Sequence, residues 1–189
     1  MIKFMTTAMT GDNALHYTQL TAPAAATDAL RTALAACWTE VSDAGGAAGF
    51  PFPPVDPAEV ADAVDRIVTG LDPARSRLVV ATVGGAVAGW LNLRRDPHPL
   101  VAHWGTLHHV QTRLQVRGQG IGAGLVRQAQ AIARDEMGLE QLRLAARGGV
   151  GLEKFYGRLG WQEAGRWPGA LRLAPGDDRD EVLMVLSPL

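Results

Sequence analysis

The sequence predicts an α+β fold in which helices are interleaved into a mixed sheet, and three observations carry that prediction. Runs with strand alternation or β-branched enrichment recur along the chain. Between them stand stretches whose apolar residues repeat at helical spacing. Residues 106–125, TLHHVQTRLQVRGQGIGAGL, then read as a strand, a glycine-rich loop and a helix N-terminus in succession.

The order of elements follows from the local chemistry. Residues 1–13 show no period and are expected to be a poorly ordered lead-in to a single domain over 14–189, a length ample for one continuous core. Leu15 to Leu20 alternates like a first strand. Pro23 to Glu40 reads as a helix behind Thr21, with Leu30, Leu34 and Trp38 at fourfold spacing. Cys37 within it has no spaced His or Asp partner and is expected to be a buried structural thiol. Asp43 to Pro54, DAGGAAGFPFPP, breaks regular structure with glycine and proline yet carries Phe50 and Phe52, which suits either a substrate cover or a loop anchored on the core. Asp56 caps the next helix, Pro57 opens it, and Val60, Val64, Ile67, Val68 and Leu71 mark its apolar face.

Arg77 to Val83 and Ala86 to Arg94 are strand-like runs around a Gly84-Gly85 turn. After the break at Asp96-Pro97-His98-Pro99, Leu100 to Thr112 leads into the glycine loop. Ile121, Leu125, Ala129 and Ile132 give the following helix its stripe, which stops near Gly138. Leu142 to Ala145 reads as a strand and Leu152 to Leu159 as a short helix closed by Gly160. Trp161 to Trp167 and Glu181 to Leu186 then form a hairpin with a long loop through Pro175-Gly176-Asp177-Asp178.

Composition narrows the function classes. Apolar residues make up 47% and charged residues 20%, with a net charge of −1, which argues against disorder and against a strongly basic nucleic-acid surface. A single cysteine rules out an intramolecular disulfide, and no leading signal or long apolar span is evident. The expectation is a cytoplasmic protein with neither a nucleic-acid nor a membrane partner.

The glycine loop suits a phosphate group, since a helix N-terminus offers unpaired N–H groups and a positive dipole end. Gly122-Ala123-Gly124 supplies neither the lysine nor the hydroxyl of a P-loop. Gly118-Gln119-Gly120-Ile121-Gly122-Ala123 satisfies the letters of a dinucleotide fingerprint, but the next strand ends at Ala145-Ala146 without an acidic residue, and too little chain follows for a six-stranded sheet.

Arg117-x-x-Gly120-x-Gly122, directly after a strand and opening an amphipathic helix, resembles the acetyl-coenzyme A signature of the GNAT acetyltransferase superfamily. Leu152 to Trp161, LEKFYGRLGW, resembles the second signature of the same family, and the two stand in the family's order. The resemblance implies a mostly antiparallel mixed sheet of about six to seven strands flanked by about four helices, splayed where acetyl-CoA binds. It further implies that Gly118, Gln119, Gly120, Ile121, Gly122 and Ala123 hold pyrophosphate through their backbone, with Arg117 setting the loop. Val110, Gln111 and Thr112 would pair with the pantetheine arm, and the Val110 N–H would polarise the thioester carbonyl.

Direct transfer to an amine needs a route for the amine's proton and benefits from an acid for the departing thiolate. The resemblance implies Tyr156 as that acid. For the base, 97–134 contains no Asp or Glu, where many family members carry a strand glutamate. His108 takes up the role, at a spacing from Arg117 that resembles the arylalkylamine branch, with His103 and Glu153 as reserves. Strand alternation would put Thr106, His108, Val110 and Thr112 on one face and Leu107 and His109 on the other; no metal site follows from adjacent histidines. Gly149 stands where many relatives have asparagine, while Arg147, Lys154 and Arg158 are either phosphate contacts or solvated charges. Phe50, Phe52, Trp90 and Trp104 are candidate walls of the acceptor pocket.

The expected function is acetyl-CoA-dependent N-acetylation of a small-molecule amine in a ternary complex, with no metal. Two alternatives stay open: a degenerate acyl-CoA sensor, or a protein or peptide N-acetyltransferase. Assembly as a homodimer also stays open.

Overall fold

Residues 3–6, 14–46, 49–50 and 53–189 are described by the computed structural model, the first four by their backbone alone. One sheet runs in the order β1-β2-β3-β4-β5-β6-β8-β7. Its strands are β1 (Lys3–Thr6), β2 (Leu15–Leu20), β3 (Ser76–Val83), β4 (Ala86–Arg95), β5 (Trp104–Thr112), β6 (Gln141–Arg147), β7 (Gln162–Ala174) and β8 (Asp177–Leu186). Every pairing is antiparallel except β5 with β6. The mixed, mostly antiparallel sheet is the expected one. Its extra member is β1, whose backbone pairs with β2 from Lys3 opposite Gln19 to Thr6 opposite His16. The rest of the 1–13 lead-in lies outside the described residues.

Four helices cover the two faces. α1 (Asp28–Asp43) and α2 (Pro57–Thr69) lie on one, α3 (Ile121–Ala131) and α4 (Leu152–Gly157) on the other. α1 starts later than its alanine content suggested because Thr27, not Thr21, is the cap. The Thr27 hydroxyl accepts from Leu30 N at 3.2 Å, while Pro23–Ala25 forms only a tight 3-10 turn. α2 opens as predicted, with Asp56 accepting from Ala58 N at 2.8 Å and Pro57 in the first turn.

β5 begins at Trp104, not Leu100, because the His98 ring accepts from Leu100 N and closes a turn over Pro99–Val101. β7 outruns its predicted end at Trp167 by absorbing Pro168 and Gly169 into register shifts on the sheet edge.

Two cores result. Leu34, Cys37, Trp38, Val60, Val64 and Val68 pack from α1 and α2 onto Leu78, Val80 and Trp90. On the opposite face Ile121, Leu125, Val126 and Ala129 pack onto Leu91, Leu93, Leu107 and Leu142, joined by Tyr156 and Trp161. Cys37 is fully buried, and burial pushes its thiol up to about 12, so it is the structural thiol expected. Among the described residues no helix is long and apolar enough to cross a membrane.

Candidate active site

The site is built on β5. Its parallel pairing with β6 covers only Trp104, Gly105 and Thr106, opposite Gln141, Leu142 and Arg143. β5 runs on to Thr112 and β6 to Arg147, so past Thr106 the two diverge and the β6-facing edge of β5 keeps backbone groups without a strand partner. The edge facing β4 is interrupted too. Trp90 stands opposite Gln111 and Asn92 opposite His108, so His109 and Val110 together oppose Leu91.

His109 makes this bulge by adopting φ +54, in the left-handed region that side chains other than glycine rarely enter. The bulge overturns the simple alternation of the strand. His109 joins His108 on the α1/α2 side, their ring centroids 5.9 Å apart, while Val110 turns to the α3 side with Leu107. The His109 ring sits 4.5 Å from Trp38 and 6.0 Å from Trp90. Burial, then the neighbouring His108, then the Arg94 guanidinium hold His109 down at about 4; burial and Arg94 lower His108 as well. Both rings are therefore neutral near pH 7, able to accept a proton.

Glycine makes the next loop. Gly118 (φ +78) and Gly120 (φ +81) are left-handed, and Gly120 caps α3. No hydrogen bond between described residues engages the N–H groups of Gly118 to Ala123; helical bonding begins with Gly124 N to Gly120 O at 2.9 Å. Gly122 lies under the loop where a Cβ would come within 3.2 Å of Thr112 Oγ1. Gly124 serves packing instead, since a Cβ there would run into the Tyr17 hydroxyl, which donates to Ile121 O.

Between the diverging strands lies a cavity of about 450 Å³. Of the residues singled out in the sequence, Val110, Gln111, Thr112, Arg117, Gly118, Gly122 and Tyr156 line it. Gln119, Gly120, Ile121 and Ala123 do not, and the Ile121 side chain is core. Gln111 is buried with both side-chain amide atoms unpartnered, a polar group with capacity to spare for an amide-bearing ligand. Tyr156 is 5% exposed, packed on Phe155 and Trp161, and burial holds its phenol above the ordinary range, so it stays protonated.

Two further cavities meet the first at His109, which lines all three. One, about 440 Å³, contains His108, Phe50 and Glu181; the other, about 460 Å³, lies between α2 and β4. His108 is thus not in the β5–β6 groove but in the cavity beside it.

The acceptor walls need correction. Trp90 is 1% exposed, its indole N–H given to Leu34 O, and Trp104 lies under the Arg143 guanidinium; neither lines any of these three cavities. Phe50 does, together with Trp38, which its helical spacing had marked only as core. Phe52 lies outside the described residues. Arg147 is 8% exposed and donates to Gly45 O at 2.8 Å and Gly46 O at 3.1 Å, so its two terminal guanidinium nitrogens clamp the segment that follows α1.

Besides Trp38, the sequence pattern did not reveal the parts played by Glu181, His109 and Glu40. Glu181 is the one carboxylate lining these cavities among the described residues, brought opposite Arg147 by β8 pairing with β6. Its distance in sequence hid it. His109 was assigned to the wrong face. Glu40 takes Arg113 at 2.6 Å and Leu114 N at 3.0 Å, tying α1 to the start of the glycine loop. The reserves stay apart: Glu153 accepts from Gly149 N, and neither it nor His103 lines any of these three cavities.

A profile described as the Acetyltransferase (GNAT) family matches residues 28–161. No curated protein matches the sequence. Among solved structures, a GCN5-related N-acetyltransferase from Kribbella flavida superposes with a TM-score of 0.71 at 23% identity, covering 92% of this chain and 98% of its own. An acetyltransferase of the GNAT family from Streptococcus pneumoniae gives 0.68 at 19% identity, over 92% and 99%. A ribosomal-protein-alanine N-acetyltransferase from Brucella melitensis gives 0.68 at 21%, over 86% and 96%. At these identities the structures establish a shared fold, and the profile match, spanning most of the chain, bears on lineage.

Proposed function

Because the chain belongs to the Acetyltransferase (GNAT) family, we propose that it transfers acetyl from acetyl-CoA directly to the primary amine of a small molecule, in a ternary complex. The observation that carries this reading is that His109 borders the β5–β6 groove and both side cavities, so that a thioester held along β5 would stand beside an acceptor. The proposed catalytic domain is residues 14–189, acting in the cytoplasm without a metal.

The residues present fit the coenzyme. Free N–H groups from Gly118 to Ala123 suit a pyrophosphate at the positive end of α3, with Arg117 beside them. The unpaired edge of β5 from Val110 to Thr112, with the orphaned Gln111 amide, suits a pantetheine arm. Acetyl-CoA supplies the activated acetyl thioester. The bulge leaves Val110 without a one-to-one partner on β4, and its N–H would donate to the thioester oxygen as charge develops there.

In the transfer a C–N bond forms and the C–S bond breaks; one proton leaves nitrogen and one reaches sulfur. His108, neutral and beside neutral His109, accepts the amine proton, and Tyr156, kept protonated by burial, donates to the thiolate.

Calorimetric titration with acetyl-CoA followed by thiol release on an amine panel tests the reading. Binding with release upholds it. Binding with no release on any amine favours a coenzyme sensor, and absence of binding removes the coenzyme assignment.

A further inference from the structure

The cavity between α2 and β4 has a chemistry of its own. Trp38 and Phe50, in edge contact with centroids 5.0 Å apart, form its apolar wall. Arg66 reaches it from the face of α2 that also carries Ala63, Ile67 and Gly70. Arg94 reaches it from β4, on the face shared with Trp90 and Asn92. Neither guanidinium has an ion pair or side-chain hydrogen bond with a described residue, in contrast to Arg31 on Asp65 and Arg113 on Glu40 nearby. Ser76 Oγ accepts from Asn92 at 3.2 Å, which leaves its own hydroxyl hydrogen for the cavity. No Asp or Glu lines it among the described residues, so donors converge there with no built-in acceptor of negative charge.

We propose that this cavity is an anion-binding subsite for the acceptor: Arg66 and Arg94 take a carboxylate, while the acceptor's apolar body lies on Trp38 and Phe50 and its amine reaches the His109 junction. The preferred acceptor is then an amino acid or a related amine that carries both an acid and a hydrophobic body. The planar fork of arginine matches a carboxylate in two-point geometry.

The other side cavity supports the same orientation. It holds Glu181, while its two arginines are already engaged, Arg172 by Asp178 at 2.7 Å and Arg147 by the Gly45 and Gly46 carbonyls. Positive charge thus lies on one side of His109 and a carboxylate on the other, an arrangement complementary to a zwitterion. The assignment rests on the acetyl-transfer reading for the amine's role, but the anion subsite is a claim about binding and is testable without turnover.

Two measurements separate the claims. In the first, 3-phenylpropionate and 3-phenylpropanol are titrated calorimetrically into the acetyl-CoA-saturated protein and into Arg66→Gln, Arg94→Gln and double variants. The carboxylate is expected to bind at least about tenfold more tightly than the alcohol, with the advantage lost in the double variant. Equal affinity for acid and alcohol, or an unchanged advantage in the double variant, overturns the subsite.

In the second, thiol release is compared for L-phenylalanine, L-leucine and L-methionine against their decarboxylated amines. A kcat/KM at least about tenfold higher for the acids, with KM but not kcat rising in Arg66→Gln and Arg94→Gln, supports it. Turnover of the decarboxylated amines in preference overturns the subsite and leaves acetyl transfer standing. Tight, arginine-dependent carboxylate binding with no thiol release from any amine keeps the subsite and strikes the transferase reading.

Discussion

Acidification exposes the bulge at His109. The ordinary imidazole value is 6.5, and in the folded chain the ring is held at about 4 by burial, His108 and Arg94. Because the folded value is the lower one, the unfolded chain takes up the proton first as pH falls. The associated stability is therefore complete above about 6.5, drains as pH falls towards 4, and levels off below that. Between about pH 7.5 and about pH 4.5 this single ring removes at most about 2.5 kcal/mol of unfolding free energy. His108 is lowered for related reasons and adds in the same direction.

The measurement is urea unfolding of the parent and of His109→Asn at both pH values. Asparagine tolerates the left-handed backbone at φ +54 and does not titrate. Whatever ring packing the substitution removes is common to both pH values and cancels in the difference. The parent is expected to lose about 2 kcal/mol more than the variant on acidification. Equal losses would refute the argument that the ring is charged at a cost in that pocket.

Other substitutions probe the groove. Tyr156→Phe keeps the ring among Phe155 and Trp161 and is expected to lower kcat about 100-fold in steady-state thiol release, with KM for acetyl-CoA nearly unchanged; an unaltered kcat would remove Tyr156 as the acid. Gly124→Ala drives a methyl into the Tyr17 hydroxyl inside the core, so thermal or urea unfolding is expected to show a loss of about 1–3 kcal/mol. Gly122→Ala leaves the core alone and crowds Thr112 in the groove, so its signature is a raised KM for acetyl-CoA with folding stability held within about 1 kcal/mol. Glu40→Gln breaks the half-buried pair with Arg113 and loosens the segment leading to the glycine loop; a drop of about 1 kcal/mol in stability with a severalfold rise in that KM is expected, and an unchanged KM would uncouple α1 from the loop.

Periodicity and punctuation made most of the fold legible. The valine stripe of α2, its Asp56-Pro57 start, the Gly84-Gly85 hairpin and the strand–glycine–helix junction all depend on residues within a few positions of one another. The shortfalls are of a different kind. Thr21 and Thr27 are equally good caps by composition, and only the turn at Pro23–Ala25 selects the second. A bulge is invisible to alternation, because one inserted residue exchanges the faces of everything after it, and His109 carried no glycine to announce it. Glu181 and Trp38 entered the site through strand order and helix packing, relations between positions far apart in sequence that no local pattern encodes. The glycine loop, a contiguous stretch, was therefore readable, whereas the side cavities, assembled from α1, α2, β4 and β8, were not.

The segment after α1 has a thermodynamic consequence. Gly45 and Gly46, held by Arg147, border the β5–β6 groove, and Gly49 and Phe50, a few residues on, border both side cavities. Under the proposed acetyl transfer, Gly45, Gly46, Gly49 and Phe50 would border the places of both reactants. An adjustment of these residues to one ligand would be felt by the other, and linkage would make the effect mutual: if coenzyme tightens acceptor binding by some factor, acceptor tightens coenzyme binding by the same factor. In that case the dissociation constants for coenzyme and acceptor would be joint properties of the pair, set in part by two carbonyls held on a single arginine.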